Sequence, residues 1–151
     1  MSKYKQNKFD AMTKEFKENI ENIKKLFSDI SDSEKIYLTI IELGRKLKPM
    51  NKDFLLPINK VDGCQSTTYL HCIFDAGVLY FYAQSDALIS SGLAALLILA
   101  YDGQPPEVII NNKPEFLSEL NIHSSLSPNR ANGLLQMYQK MREDALKYLT
   151  N

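Results

Sequence analysis

Two cysteines stand within "VDGCQSTTYLHCIF", Val61 to Phe74, eight residues apart. A thiolate can attack, bind metal or accept sulfur, whereas a thiol buried among apolar groups does none of these. Cys72 alternates with Leu70 and Phe74 on one face of a strand-like pattern, a setting in which cysteine acts as a small, inert hydrophobe. Cys64 follows Gly63 and precedes Gln65 and Ser66, in a turn between two extended segments that lifts its sulfur toward another molecule. Glycine at 63 permits a backbone conformation that other residues resist. Such a cysteine is either an incidental loop residue or a reactive thiol. Reactivity needs a neighbouring cation or helix N-terminus, and Lys60 and Arg130 are the candidate cations.

Other chemistry finds little support. The spacing C-x7-C is no zinc spacing, and His71 and His123 do not complete one, so no metal site is expected. A Cys–His catalytic pair needs a histidine beside Cys64. His71 is seven residues along the strand, and His123, in "LNIHSSLSP", reads as a surface-loop residue. The six glycines are scattered and make no phosphate loop. Eighteen basic residues balance eighteen acidic ones, which gives no pull toward nucleic acid or an anionic membrane. Eleven of the cations fall in the first fifty residues beside eight acids, a mild excess that reads as a solvated helix surface. The opening "MSKYKQNKFDAMTKEFKENI" has no signal-peptide layout, and the longest apolar run, Ala87 to Tyr101, is too short to cross a bilayer. The expected location is the cytoplasm, with both cysteines as free thiols.

The elements that must position Cys64 follow from periodicity. Residues 1–14 show no clear period and read as a frayed lead-in to one domain over 15–151. Phe16, Ile20, Ile23, Leu26, Phe27 and Ile30 predict an amphipathic helix. Ser31 and Glu34 suggest a capping box for a second, with Ile36, Ile40, Leu43 and Leu47 on its apolar face and Pro49 ending it. "FLLPINKV" reads as an edge strand or irregular piece because Pro57 cannot donate to a ladder. "TTYLHCIF" and "VLYFYA" form a hairpin across "DAG". "QSDALISSGLAALLILAYDG" reads as a central buried helix capped by Ser85 or Asp86 and ended by Gly103. Two proline starts predict short helices. The last helix has Ser127 as N-cap, Pro128 at its first position, and a stripe of Leu134, Tyr138, Met141, Ala145 and Leu149. The fold class is α+β, with a small antiparallel sheet of about three strands packed with helices.

"VDGCQSTTY", "SDALISSGLAALL" and "LSPNRANGLLQM", with "EKIYLTIIELGRKL" upstream, resemble in order and spacing the SufE family of cysteine-desulfuration proteins, from about Glu15 onward. The resemblance implies the fold that SufE proteins share with IscU-type scaffolds. It implies a sulfur acceptor that works with a SufS-type cysteine desulfurase in iron–sulfur cluster assembly and passes sulfur to a downstream scaffold. On this pattern Cys64 is the persulfide acceptor in a turn supported by Gly63, Gln65 and Ser66. Asp86 of "SDA" and Arg130 of "PNR" lie at the partner-facing surface. Pyridoxal phosphate belongs to the partner and no cofactor to this chain, which is then a relay and activator, not a stand-alone enzyme. The chain departs from the family in carrying Tyr69 where tryptophan is usual. Two rival readings stand beside this one: a scaffold that assembles the cluster itself, and a protein-interaction module in which Cys64 is incidental. Oligomeric state is open, a homodimer included.

Overall fold

The computed structural model describes residues 3–149, with side chains from residue 14 onward. Helix α1 (Lys3–Phe27) is followed by α2 (Ser33–Arg45). Phe16, Ile23 and Phe27 of α1 are buried, but Leu26, expected on the apolar face, is 45% exposed. Where a frayed lead-in was expected over 1–14, the described backbone is already helical from Lys3, while the side chains of residues 3–13 lie outside the described ones. Helix α2 starts one residue differently from expectation. Asp32, extended at φ −82° and ψ 124°, is the N-cap, and its carboxylate accepts from Glu34 N at 2.8 Å. A carboxylate one position nearer the helix displaces the hydroxyl of Ser31 from that role.

Two short 3-10 turns, Lys52–Phe54 and Pro57–Asn59, then lead to a hairpin of β1 (Thr68–Asp75) and β2 (Val78–Ser85). Its register runs from Thr68 opposite Ser85 to Asp75 opposite Val78. The reversal uses Ala76 and Gly77, both at positive φ (51° and 84°), the combination that matches the right-handed twist of the strands. The sheet has two strands where about three were expected. The segment around Pro57 curls into a 3-10 turn, and only Lys60 makes a bridge, to Tyr69. Proline withholds the N–H that a third strand needs.

Leu70, Leu79, Phe81 and Ala83 are buried on the sheet face that packs on α3 (Leu88–Tyr101). That helix is buried nearly all round, as its sequence indicated. It crosses α2 at backbone contact: a Cβ on Gly92 would lie 2.1 Å from the Ile40 carbonyl oxygen, and one on Gly44 would lie 2.5 Å from Gly92 N. Gly103, at φ 76°, follows the α3 C-cap. Short helices α4 (Pro106–Asn111) and α5 (Phe116–Glu119) follow the two proline starts, and α6 (Pro128–Leu146) closes the core. Ser127 caps α6 as expected and Leu134, Tyr138, Met141 and Ala145 are buried, but Leu149 lies beyond the helix end and is exposed. Among the described residues no helix is long and apolar enough to cross a membrane.

Candidate functional site

The turn that carries Cys64 is pinned at its base and lightly held at its tip. At the base, Val61 N donates to Thr68 O at 2.8 Å. Thr67 N donates to Asp86 Oδ1 at 3.0 Å, and Asp86 N returns a bond to Thr67 O at 3.2 Å. The Ser66 hydroxyl meets Ser90 Oγ at 2.8 Å and Thr68 Oγ1 at 2.9 Å, and Thr68 Oγ1 in turn meets Ser85 Oγ at 2.8 Å. The base is therefore stitched to the start of α3. Asp86 does not cap that helix: its N-cap is Ala87, without a side-chain bond. The carboxylate expected to satisfy α3 amides is committed to Thr67 instead.

At the tip, Gly63 takes φ 80°, as its turn position led one to expect. Its carbonyl accepts from Asn132 Nδ2 of α6 at 3.3 Å. The Cys64 sulfur rests 4.0 Å from the Gly133 carbonyl oxygen, half-buried and packed against the core.

Beside it opens a cleft of about 360 Å3. Cys64, Gln65 and Ser66 share its mixed polar and apolar lining with Asp86 and Arg130, and the buried Leu93 and Met137 supply part of its apolar share. Residues from three distant segments thus converge on one thiol. Arg130, at the first turn of α6, is exposed, with its guanidinium carbon 5.1 Å from the centre of the Tyr37 ring on α2. It forms no ion pair among the described residues, so its charge is open to an incoming anion. Lys60, the other candidate cation, does not line the cleft.

The remaining candidates lie elsewhere. Cys72, on β1, packs against the core and its thiol is pushed up to about 12. Burial is the main cause, and the nearby Asp144 carboxylate adds to it against the opposing charges of Lys140 and Lys147. His71 stacks on Phe54 with ring centres 3.9 Å apart, and its Nδ1 lies 3.1 Å from Asn59 Nδ2. Burial lowers its pKa, and it does not line the cleft. Nor do His123 and Tyr69. Tyr69 stands in β1 on the face opposite Leu70, away from the cleft lining. No group of three His, Cys, Asp or Glu residues able to hold a metal occurs among the described residues.

Sequence reasoning did not single out Asn132, Gly133 and Ser90 as parts of this site. One signal was available. A glycine inside an otherwise helical pattern lowers helix stability and usually has a packing reason.

The sequence pattern of the SufE family, described as the Fe-S metabolism associated domain, matches residues 21–145. The cysteine desulfuration protein SufE of Wigglesworthia glossinidia brevipalpis is 32% identical over 126 residues, which cover 82% of this chain and 88% of that protein. The chloroplastic/mitochondrial SufE-like protein 1 of Arabidopsis thaliana is 36% identical over 128 residues, 84% of this chain but 34% of that longer protein. The solution structure of a hypothetical protein from Thermus thermophilus shares the fold. Its TM-score is 0.74 at 21% identity, over 88% of this chain and 97% of that one.

Proposed function

Because this chain belongs to the SufE family, whose domain is associated with Fe–S metabolism, we propose that it is a sulfur carrier. It takes sulfane sulfur as a persulfide on Cys64 from a cytoplasmic, SufS-type cysteine desulfurase, which it stimulates, and hands it to a downstream iron–sulfur scaffold. The observation that carries this reading is the convergence of Cys64, Asp86 and Arg130 on one cleft.

The chemistry is sulfur exchange between thiols. The Cys64 thiolate attacks the outer sulfur of the desulfurase's cysteine persulfide. A new S–S bond forms at Cys64, the enzyme's S–S bond breaks, and the enzyme's thiolate leaves. Rate then depends on thiolate fraction, leaving group and access. Pyridoxal phosphate on the partner frees the sulfur from cysteine, and nothing beyond a thiol is needed on this chain.

Such a carrier must guard its cargo, because cytosolic thiols would strip an exposed persulfide by the same exchange. The resting turn keeps the sulfur half-buried against α6, and docking draws it out. The cost is modest. Among the described residues the tip is held by the Asn132 amide bond, worth about 1 kcal/mol, by a long thiol contact to Gly133 O, and by partial burial of that thiol, worth about another. An interface supplies that easily, while the pinned base keeps the movement within residues 62–65. Asp86 and Arg130 flank the exit and meet the desulfurase.

A cluster scaffold is the weaker reading, since cluster assembly needs several converging ligands and Cys72 lies outside the cleft. Desulfurase turnover measured with wild-type protein, Cys64→Ser and Cys72→Ser in parallel tests the proposal. Only the Cys64 change should abolish stimulation. Equal stimulation by Cys64→Ser would refute the reading.

A further inference from the structure

The glycines of this chain differ in what their missing side chain makes room for. Gly92 and Gly44 let two helix backbones touch, since a Cβ on either would strike backbone atoms. Gly63 has positive φ, which alone favours glycine. Gly133 has neither reason. It lies inside α6 without a positive φ, where glycine weakens the helix by about 1 kcal/mol relative to alanine. Among the described residues, and apart from its own helix backbone and chain neighbours, the one atom that a Cβ there would meet within 4 Å is the Cys64 sulfur, at 3.1 Å. That is closer than sulfur and carbon pack comfortably. The space at 133 is therefore the space of the thiol.

Its neighbours complete the seat. Asn132 donates its side-chain amide to Gly63 O. Gln136, one turn on, lies where a Cβ on Gly63 would reach its Cγ at 3.1 Å. Residues 63 and 64 thus rest on a single strip of α6, while the base of the turn is fixed independently by Val61–Thr68 and Thr67–Asp86.

We propose that Gly133 and Asn132 are positioning residues that form the resting seat of the Cys64 thiol, and that the size of the side chain at 133 sets how much of the time the sulfur is withdrawn from solvent. This rests on the reading of Cys64 as the sulfur acceptor and adds what governs its shielding. A larger residue at 133 shifts the turn toward its exposed form without touching the base, and loss of the Asn132 amide does so without any clash.

The test is native-state alkylation of Cys64 by iodoacetamide at pH 8, followed by peptide-resolved mass spectrometry on the isolated full chain. Gly133→Ala should raise the Cys64 rate about tenfold, the effect of forcing one methyl into a filled site. Asn132→Ala should raise it about fivefold, the effect of one neutral hydrogen bond. Melting temperature should change little in both, because the better helix propensity of alanine offsets the loss of the seat. A glycine kept only for helix packing would move the melting temperature and leave the thiol rate alone. Should Gly133→Ala fail to fold, Asn132→Ala decides by itself. Unchanged Cys64 rates in folded variants overturn the proposal. Sulfur loading from a desulfurase and cysteine is measured separately on wild-type protein. Loading with unchanged alkylation would leave the carrier reading standing and remove the seat, and faster alkylation without loading would do the reverse.

Discussion

Native Cys72 should react orders of magnitude more slowly than the same residue in the unfolded chain, and its raised pKa sets the size of the effect. Burial lifts Cys72 from an ordinary 9.0 to about 12. At pH 8 an ordinary thiol is ionised to roughly one part in ten, and Cys72 to roughly one part in ten thousand. Since only the thiolate attacks, native Cys72 should react with iodoacetamide about a thousandfold more slowly than the same residue in urea-unfolded protein. Cys64 should be labelled long before it. Peptide-resolved mass spectrometry over a time course reads both rates from one sample. The same shift has a consequence for stability. The folded thiol holds its proton above the unfolded value, so its contribution is fully present below pH 9 and declines as pH climbs toward 12. The slope is at most about 1.4 kcal/mol per pH unit and less for a half-buried group. Cys72→Ala should remove that slope, while Cys72→Ser keeps the site polar and loses some stability through its buried hydroxyl. Labelling of native Cys72 within tenfold of its unfolded rate would refute the burial argument.

Asp86→Ala removes the acceptor for Thr67 N and should speed Cys64 alkylation several-fold at a cost of about 1 kcal/mol. Asp86→Asn, which keeps an acceptor oxygen, should restore most of the wild-type rate, and no difference between the two would contradict the pinned base. Among the described residues Arg130 makes no ion pair and stacks on Tyr37, so Arg130→Ala should stay within about 1 kcal/mol of wild-type stability. Its stimulation of a desulfurase should nonetheless fall at least tenfold, and full stimulation would remove Arg130 from the docking surface. Gly92→Ala drives a methyl into the Ile40 carbonyl and should cost about 3 kcal/mol or more, lowering Tm by roughly 6–12 °C in a thermal melt. An unchanged Tm would mean that the α2–α3 crossing yields more readily than its backbone contact implies.

Much of this architecture was legible in the chain because period and punctuation agreed. Ser127–Pro128 marked the start of α6, Gly103 the end of α3, and "DAG" the hairpin reversal. What escaped was decided across the fold. Asp86 looked like a helix cap because its position fits one, but its carboxylate went to Thr67, nineteen residues away in sequence, and no local rule exposes that choice. The third strand failed for a local reason, a proline, that sequence did flag. Leu26 and Leu149 were counted as core on periodicity alone, and helix rotation and an earlier helix end left them exposed. Of the site, residue types brought out Cys64 in its glycine turn but left it either incidental or reactive, and its acceptor role came from resemblance. The roles expected of Asp86 and Arg130 came from the same source, and only the folded chain brought the three residues to one cleft. Asn132 and Gly133 lay within a quoted motif, yet their partners are some seventy residues away in sequence, beyond the reach of spacing.

The most direct measurement is intact and peptide mass spectrometry of this protein after incubation with a SufS-type desulfurase and cysteine, with no thiol beyond that substrate. The account predicts a gain of one sulfur atom, located on Cys64 and absent from Cys72, and lost on brief reduction. Sulfur on Cys72, or none on either cysteine while the desulfurase turns over, would contradict it.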